Sequence, residues 1–267
     1  MPRGAVLWSV SDPTARAGRR LAGLLGAWML AGLASAQQPA PLKVMTDYWP
    51  PFRIAGDGGR LQGLDMDLLA ELERRTGLRF DVRRAPWSRG LAALERGSAD
   101  LMTGLARTPE RERYIDYLER PYFSCAPRFY IRPDVAPRVT GYGQLAGYDI
   151  GFVLGSAYFE PFDSDPALRK VGVSGEGQLL EMLQRKRLQL VIGTDCQVDY
   201  ELLRNPKLAG RIVKLAYRPP ARTELFVGFS RQRVLAPQRD AIAQALGQML
   251  DEGWVLKAAQ RYSAGAQ

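Results

Sequence analysis

Ala99-Asp100-Leu101-Met102-Thr103-Gly104-Leu105-Ala106-Arg107-Thr108-Pro109-Glu110-Arg111 is the stretch whose reading decides the fold. Leu101 to Leu105 is a short apolar run behind a polar residue, the pattern of a strand buried on both faces of a parallel sheet. Thr108-Pro109-Glu110 then follows. Thr is a good N-cap, Pro suits the first helical position, and an acid suits the first turn. A strand therefore runs into a helix N-terminus, and Arg111 sits in the first turn of that helix. Free N–H groups at a helix start favour an anion, and a guanidinium beside them offers a fork that matches a carboxylate.

Working outward, the same alternation recurs on both sides. Upstream, the patterning predicts a strand at 42–48, a helix at 64–75 stopped by Gly77, a strand at 79–83 and a helix at 86–96 stopped by Gly97. Downstream, the order restarts. Strands are expected at 148–154, 168–173, 188–192 and 212–215, with helices at 178–187 and 198–203 and a short helical stretch at 157–162. Alternating strand and helix is the mark of parallel βαβ units. Two extended segments, 123–131 and 224–229, follow Pro121 and Pro219-Pro220. Helices are expected at 237–249 and 254–260. The reading is an α/β protein of two lobes joined by two crossings, with residues 1–36 as a signal peptide, 37–126 as lobe 1, 127–224 as lobe 2 and 225–267 returning to lobe 1. Ligands of open parallel sheets collect at the carboxyl ends of strands. Here those ends carry Asp47-Tyr48-Trp49, Thr103-Gly104, Gly155-Ser156 and Thr194-Asp195.

Composition excludes much else. The 267-residue chain has no histidine. That removes Ser-His-Asp and Cys-His nucleophile systems and His-ligated metal sites. The two cysteines are too few for a structural zinc site, and no metal or cofactor is expected. The formal charge is +9, with the basic residues scattered, so a solvated basic surface is expected and no nucleic-acid partner. Arg16, Arg19 and Arg20 precede the apolar run 21–33 and Ala34-Ser35-Ala36. This charged, apolar, small-residue order is that of a secretory signal, with cleavage expected after Ala36 and a periplasmic mature chain without a lipid anchor. In such an oxidising compartment Cys125 and Cys196 have the option of a disulfide, which spacing alone leaves open.

The ordered set Trp49-Pro50-Pro51-Phe52, Gly63-Leu64-Asp65-Met66-Asp67-Leu68, Trp87, Leu94 to Asp100, Thr108-Pro109-Glu110-Arg111 and Pro121-Tyr122 resembles the periplasmic solute-binding proteins of polar amino-acid ABC importers, family 3. The resemblance implies a Venus-flytrap fold whose lobes close over a ligand by hinge bending. It implies that Arg111 grips a ligand carboxylate, that Ser156 and the N–H of Ala157 add donors from lobe 2, and that Trp49 stacks on the ligand while Trp87 lines the same wall. Thr103 and Gly104 join them from the central strand. For a ligand ammonium, Asp195, beside Thr194, and Asp47 are alternative acids. Arg89 and Arg107 would favour an acidic ligand if they face inward. The implied function is delivery of a small carboxylated solute, an amino acid by preference, to an inner-membrane ABC permease by a monomeric, non-enzymatic binder. Two alternatives share the pattern. One is an exported cyclohexadienyl dehydratase, with Glu176 or Glu224 as the acid. The other is a soluble sensor that presents its ligand state to a receptor.

Overall fold

The computed structural model describes residues 40–135 and 139–263. The expected signal peptide, 1–36, lies outside the described residues. The chain runs through β1 (Leu42–Thr46), β2 (Ile54–Ala55), β3 (Leu61–Gln62), α1 (Leu64–Thr76), β4 (Phe80–Arg84), α2 (Trp87–Glu95), β5 (Leu101–Leu105), α3 (Pro109–Glu112), β6 (Ile115–Tyr117) and β7 (Phe123–Cys125). It then forms β8 (Pro127–Ile131), β9 (Asp149–Val153), β10 (Arg169–Val173), α4 (Glu176–Gln184), β11 (Leu190–Thr194), α5 (Asp195–Arg204) and β12 (Val213–Lys214). It returns through β13 (Thr223–Ser230), α6 (Ala236–Asp251) and α7 (Trp254–Ser263).

Two sheets result. The first has the order β4-β1-β5-β13-β6, with β7 also paired to β13. β1 is parallel to β4 and β5, while β13 runs antiparallel to β5, β6 and β7. The second has the order β10-β9-β11-β8-β12, with β9 parallel to β10 and β11 and β8 antiparallel to its neighbours. Each sheet is buried on both faces, which is why the central strands β5 and β11 are buried at every position. In the first lobe, α1, α6 and α7 cover one face around Leu68, Leu72, Ile242 and Met249. On the other face α2 packs Leu91 and Leu94 against Met102 and Leu105. In the second lobe, Leu179, Leu183 and Val198 cover one face, and Phe129, Phe159 and Phe162 fill the other.

The helix expected at 157–162 does not form. The Asp163 carboxylate takes the N–H of Tyr158 at 2.9 Å, and Tyr158, Phe159 and Phe162 turn into the core as an irregular segment. A local side-chain acceptor here competes with helical hydrogen bonding. β11 extends two residues beyond the expected strand, so Asp195 opens α5. The crossing between sheets is covalently tied. Cys125, at the end of β7, is joined to Cys196, in the first turn of α5, by a disulfide with Cα atoms 5.7 Å apart.

Candidate functional site

The strand ends of both sheets open into one cleft. From the first lobe it is lined by Asp47, Tyr48 and Trp49 after β1, Arg53 after the Trp-Pro-Pro-Phe turn, Trp87 at the start of α2, Gly104 and Ala106, and Arg111. From the second it takes Val153, Ser156, Ala157 and Tyr158 after β9, Gly175 and Glu176 at the start of α4, and Thr194 at the end of β11.

Arg111 is placed as the strand–Thr-Pro-Glu pattern predicts. Thr108 caps α3, its Oγ1 accepting the Arg111 N–H at 3.3 Å. Arg111 is 5 % exposed. Its Nη1 donates to Ala106 O at 2.7 Å and its Nη2 to Gly155 O, in the other lobe, at 2.5 Å. Trp87 Nε1 donates to the same Gly155 oxygen at 3.2 Å. Gly155 adopts φ +80°, a conformation that favours glycine and that presents its carbonyl to both donors. Among the described residues no carboxylate forms an ion pair with Arg111: the nearly buried cation faces the cleft bonded to carbonyls, with the Tyr117 hydroxyl beside it and the Asp163 carboxylate acting on it from farther off.

Eight of the ten expected site residues line the cleft: Asp47, Trp49, Trp87, Gly104, Arg111, Ser156, Ala157 and Thr194. Two do not. Thr103 is 1 % exposed and its hydroxyl donates to Asp65 Oδ2 at 2.7 Å. Successive strand residues face opposite ways, and at the end of β5 the cleft takes Gly104 instead. Asp195 is drawn to the hinge, where its Oδ1 accepts the N–H groups of Ala126 and Cys196, each at 2.8 Å. Asp47 lines the cleft with its carboxylate engaged. It accepts the N–H of Trp87 at 3.1 Å and of Tyr48 at 2.8 Å, and it meets Arg84 at 3.2 Å. It serves the start of α2 as a carboxylate does at a helix N-terminus. Arg107 stacks on Tyr117 and Phe226 outside the cleft, and Arg89 is exposed away from it. Glu224 is exposed on β13, opposite Ser124.

A second acid, Glu176, also lines the cleft. Its Oε2 is shielded from water and has no hydrogen-bond partner, and Thr194 Oγ1 is in the same condition. Burial, with the nearby Glu201 carboxylate adding to it, pushes the Glu176 carboxyl up to about 8. Burial, reinforced by Glu176, also raises the Tyr158 hydroxyl.

Arg53 went unread in the sequence. It is 2 % exposed, forms a very short ion pair with Asp65, and donates from Nε to Asp47 O at 2.9 Å. Its guanidinium lies 5.0 Å from the Trp49 ring centre and 5.4 Å from that of Trp87. The ring faces expected to stack on a ligand are thus occupied in part by the protein's own cation. Trp49 also stacks on Phe52, 4.5 Å away. Nothing in spacing marks Arg53, because its partner Asp65 lies across a turn and a hairpin.

Residues 42–265 match the family described as bacterial extracellular solute-binding proteins, family 3. The chain belongs to this family. Among curated relatives, a probable histidine-binding protein of Neisseria gonorrhoeae is 30% identical over 74 residues, 27% of this chain and 27% of that protein. The L-cystine-binding protein TcyJ of Escherichia coli is 24% identical over 113 residues, 42% of each. The aligned stretch thus spans well under half of either relative. The arginine-binding extracellular protein ArtP of Bacillus subtilis is 21% identical over 88% of this chain and 90% of its own. Solved structures share the fold. An amino acid ABC transporter substrate-binding protein, AbpA of Streptococcus pneumoniae, bound to L-arginine, superposes with a TM-score of 0.72 at 16% identity, covering 85% of this chain and 96% of that one. A histidine kinase sensor domain with similarity to periplasmic binding proteins gives 0.73 at 18% identity, with 84% and 96% covered.

Proposed function

We propose that this protein captures a small carboxylated solute, an amino acid or a close relative, between its lobes and delivers it to an ABC importer in the inner membrane. The observation that carries the reading is Arg111: a side chain almost removed from water, facing the cleft, bonded to carbonyls and paired with no carboxylate among the described residues. A buried charge without a counter-charge is costly, and a ligand carboxylate supplies one. The guanidinium also bonds to Gly155 of the other lobe, so the group that would hold the ligand is the one that registers closure. Relatives named for histidine, cystine and arginine binding support an amino acid as the solute. Export to the periplasm rests on the signal-like segment at 1–36, and among the described residues no helix is long and apolar enough to cross a membrane.

The test is thermal shift and calorimetry on the chain from Gln37, unfolded and refolded to strip carried-over ligand, against the common amino acids and small carboxylic acids. A ligand that binds only the folded state raises the melting temperature by mass action. A saturable shift with the ligand recovered unchanged supports capture. Uptake by vesicles carrying a cognate permease, only when the loaded protein is added, supports delivery. Recovery of a receptor instead of a permease in a pull-down would assign it to sensing.

A second reading has one observation behind it. Glu176, pushed up to about 8, holds its proton at neutral pH, as a general acid must. With Arg111 to hold a carboxylate, it has the equipment of an exported dehydratase. Conversion of prephenate to phenylpyruvate, abolished in Glu176→Gln, would establish that reading over simple capture.

A further inference from the structure

The surroundings of Arg53 exceed what an ion pair needs. Its Nε is fixed by Asp47 O and its Nη1 by Asp65, and Asp65 is itself held by the hydroxyls of Thr103 and Tyr122 at 2.7 and 2.6 Å. Trp49 and Trp87 bracket the guanidinium. Below it lies Gly104 at φ +72°, where a Cβ would stand 2.5 Å from Nη1, so only glycine leaves the guanidinium its place. Every face and edge is therefore set except Nη2, to which no acceptor comes among the described residues, and Arg53 lines the ligand cleft. An arginine used only to neutralise Asp65 would not need to reach the cleft.

The charges around the cleft add to this. The Asp47 carboxylate is engaged by Arg84 and two N–H groups, and Arg53 is balanced by Asp65. Glu176 holds its proton at neutral pH. Asp163, half-buried in the second lobe, acts on Arg111 without pairing with it, and the unpaired positive charge lining the cleft is that of Arg111. A cationic ligand side chain would face that charge. It would also find the two tryptophan faces, the natural seat for a cation, shared with a resident guanidinium.

We propose that Arg53 is a second anion anchor and the specificity-determining residue of the cleft, selecting a ligand with two acidic ends, an acidic amino acid or a dicarboxylate, over cationic amino acids. This rests on the carboxylate-capture reading above. Arg111 takes one carboxylate and the free Nη2 edge of Arg53 takes the other. The rigid mounting of Arg53 spares the entropy of ordering a long side chain on binding.

The experiment is calorimetry of the ligand-stripped chain with L-glutamate, L-aspartate, glutarate, L-glutamine, L-arginine and L-lysine. The proposal expects an acidic ligand to bind about tenfold or more tighter than L-glutamine, L-arginine and L-lysine, the usual advantage of a charge-assisted hydrogen bond. L-Glutamate against glutarate then separates an acidic amino acid from a plain dicarboxylate. L-Arginine, L-lysine or L-glutamine binding as tightly as the acidic ligands overturns the proposal and leaves carboxylate capture standing. Silence from every ligand overturns capture, and the proposal with it. Arg53→Met alone would strand Asp65, so the variant to use is Arg53→Met with Asp65→Asn, which removes both charges and leaves the net charge of the cleft unchanged. It should weaken the acidic ligand about ten- to a hundredfold, and weaken it more than it weakens L-glutamine. If the double variant does not fold, Arg53→Lys serves, since lysine keeps the charge without the fork. An acidic ligand held at full strength by a folded variant of either kind rejects Arg53 as an anchor.

Discussion

The two walls of the cleft differ in how their polar groups are satisfied. On the first-lobe wall, Arg53 is paired with Asp65, Asp65 also receives the hydroxyls of Thr103 and Tyr122, and the Asp47 carboxylate holds the start of α2. On the second-lobe wall, Glu176 Oε2 and Thr194 Oγ1 are out of water and unpaired. Since buried polar groups are ordinarily hydrogen-bonded, the first wall is a finished platform and the second holds groups in need of a partner. Arg111 stands between them, bonded to a carbonyl from each side. The difference teaches that this fold divides rigidity and demand between its lobes. One side is preorganised for recognition, and the other gains most when something enters.

The strongest way to break this contrast is Asp65→Ala. Removing one partner of a buried pair leaves the other uncompensated, and the expected loss is about 3–5 kcal/mol of folding stability, read from denaturant melts. A loss under about 1 kcal/mol would show that the first wall is not a preformed charged platform. Next is Arg111→Ala, expected to cost about 2–5 kcal/mol of binding free energy by calorimetry with the melting temperature of the free protein little changed. Near-normal affinity in that variant would take Arg111 out of the site. Third is the tie between the walls. The disulfide closes a loop across a sequence separation of 71, and replacing Cys125 and Cys196 by alanine should cost about 2–4 kcal/mol in denaturant melts.

A pH-dependent effect sharpens the comparison from the second wall. The Glu176 carboxyl is pushed from an ordinary value of 4.5 up to about 8 in the folded chain. Below its unfolded value both states carry the proton and Glu176 contributes nothing to the pH dependence. Between the two values the unfolded state has released the proton and the folded state keeps it, so stability falls as pH rises. The loss is at most about 1.4 kcal/mol per pH unit and levels off above the folded value. Glu176→Gln should therefore match the parent near pH 4, gain on it through neutral pH, and melt highest relative to it at pH 8–9. An equal difference at every pH would mean that Glu176 is not held neutral by its burial.

Legibility in the sequence followed the range of the interactions involved. The β5–α3 junction reads correctly because its causes are local: an apolar run, a capping Thr108, a Pro at the first helical position. Arg111 follows from it by count. The aromatic turn before Arg53 and the glycines at 104 and 155 are local as well, and they place most of the cleft lining. Asp195 fails for a reason equally local in sequence and invisible there. It opens α5 at the hinge, where the N–H groups of Ala126 and Cys196 claim its carboxylate. Thr103 fails because strand facing is decided by which side of β5 the other elements cover.

By itself, then, the sequence determined the alternation of strands and helices, the arginine at a capped helix start, and the family pattern that joins them, because each is written in residues a few positions apart. Only the tertiary structure decided that Cys125 meets Cys196, that Arg53 pairs with Asp65 between two tryptophans, and that Glu176, and not Asp195, brings an unpaired carboxyl into the cleft. Those facts depend on burial and on partners brought from distant segments. Free energy for a buried charge or a polar atom is set by what surrounds it in space, which spacing along a chain does not encode.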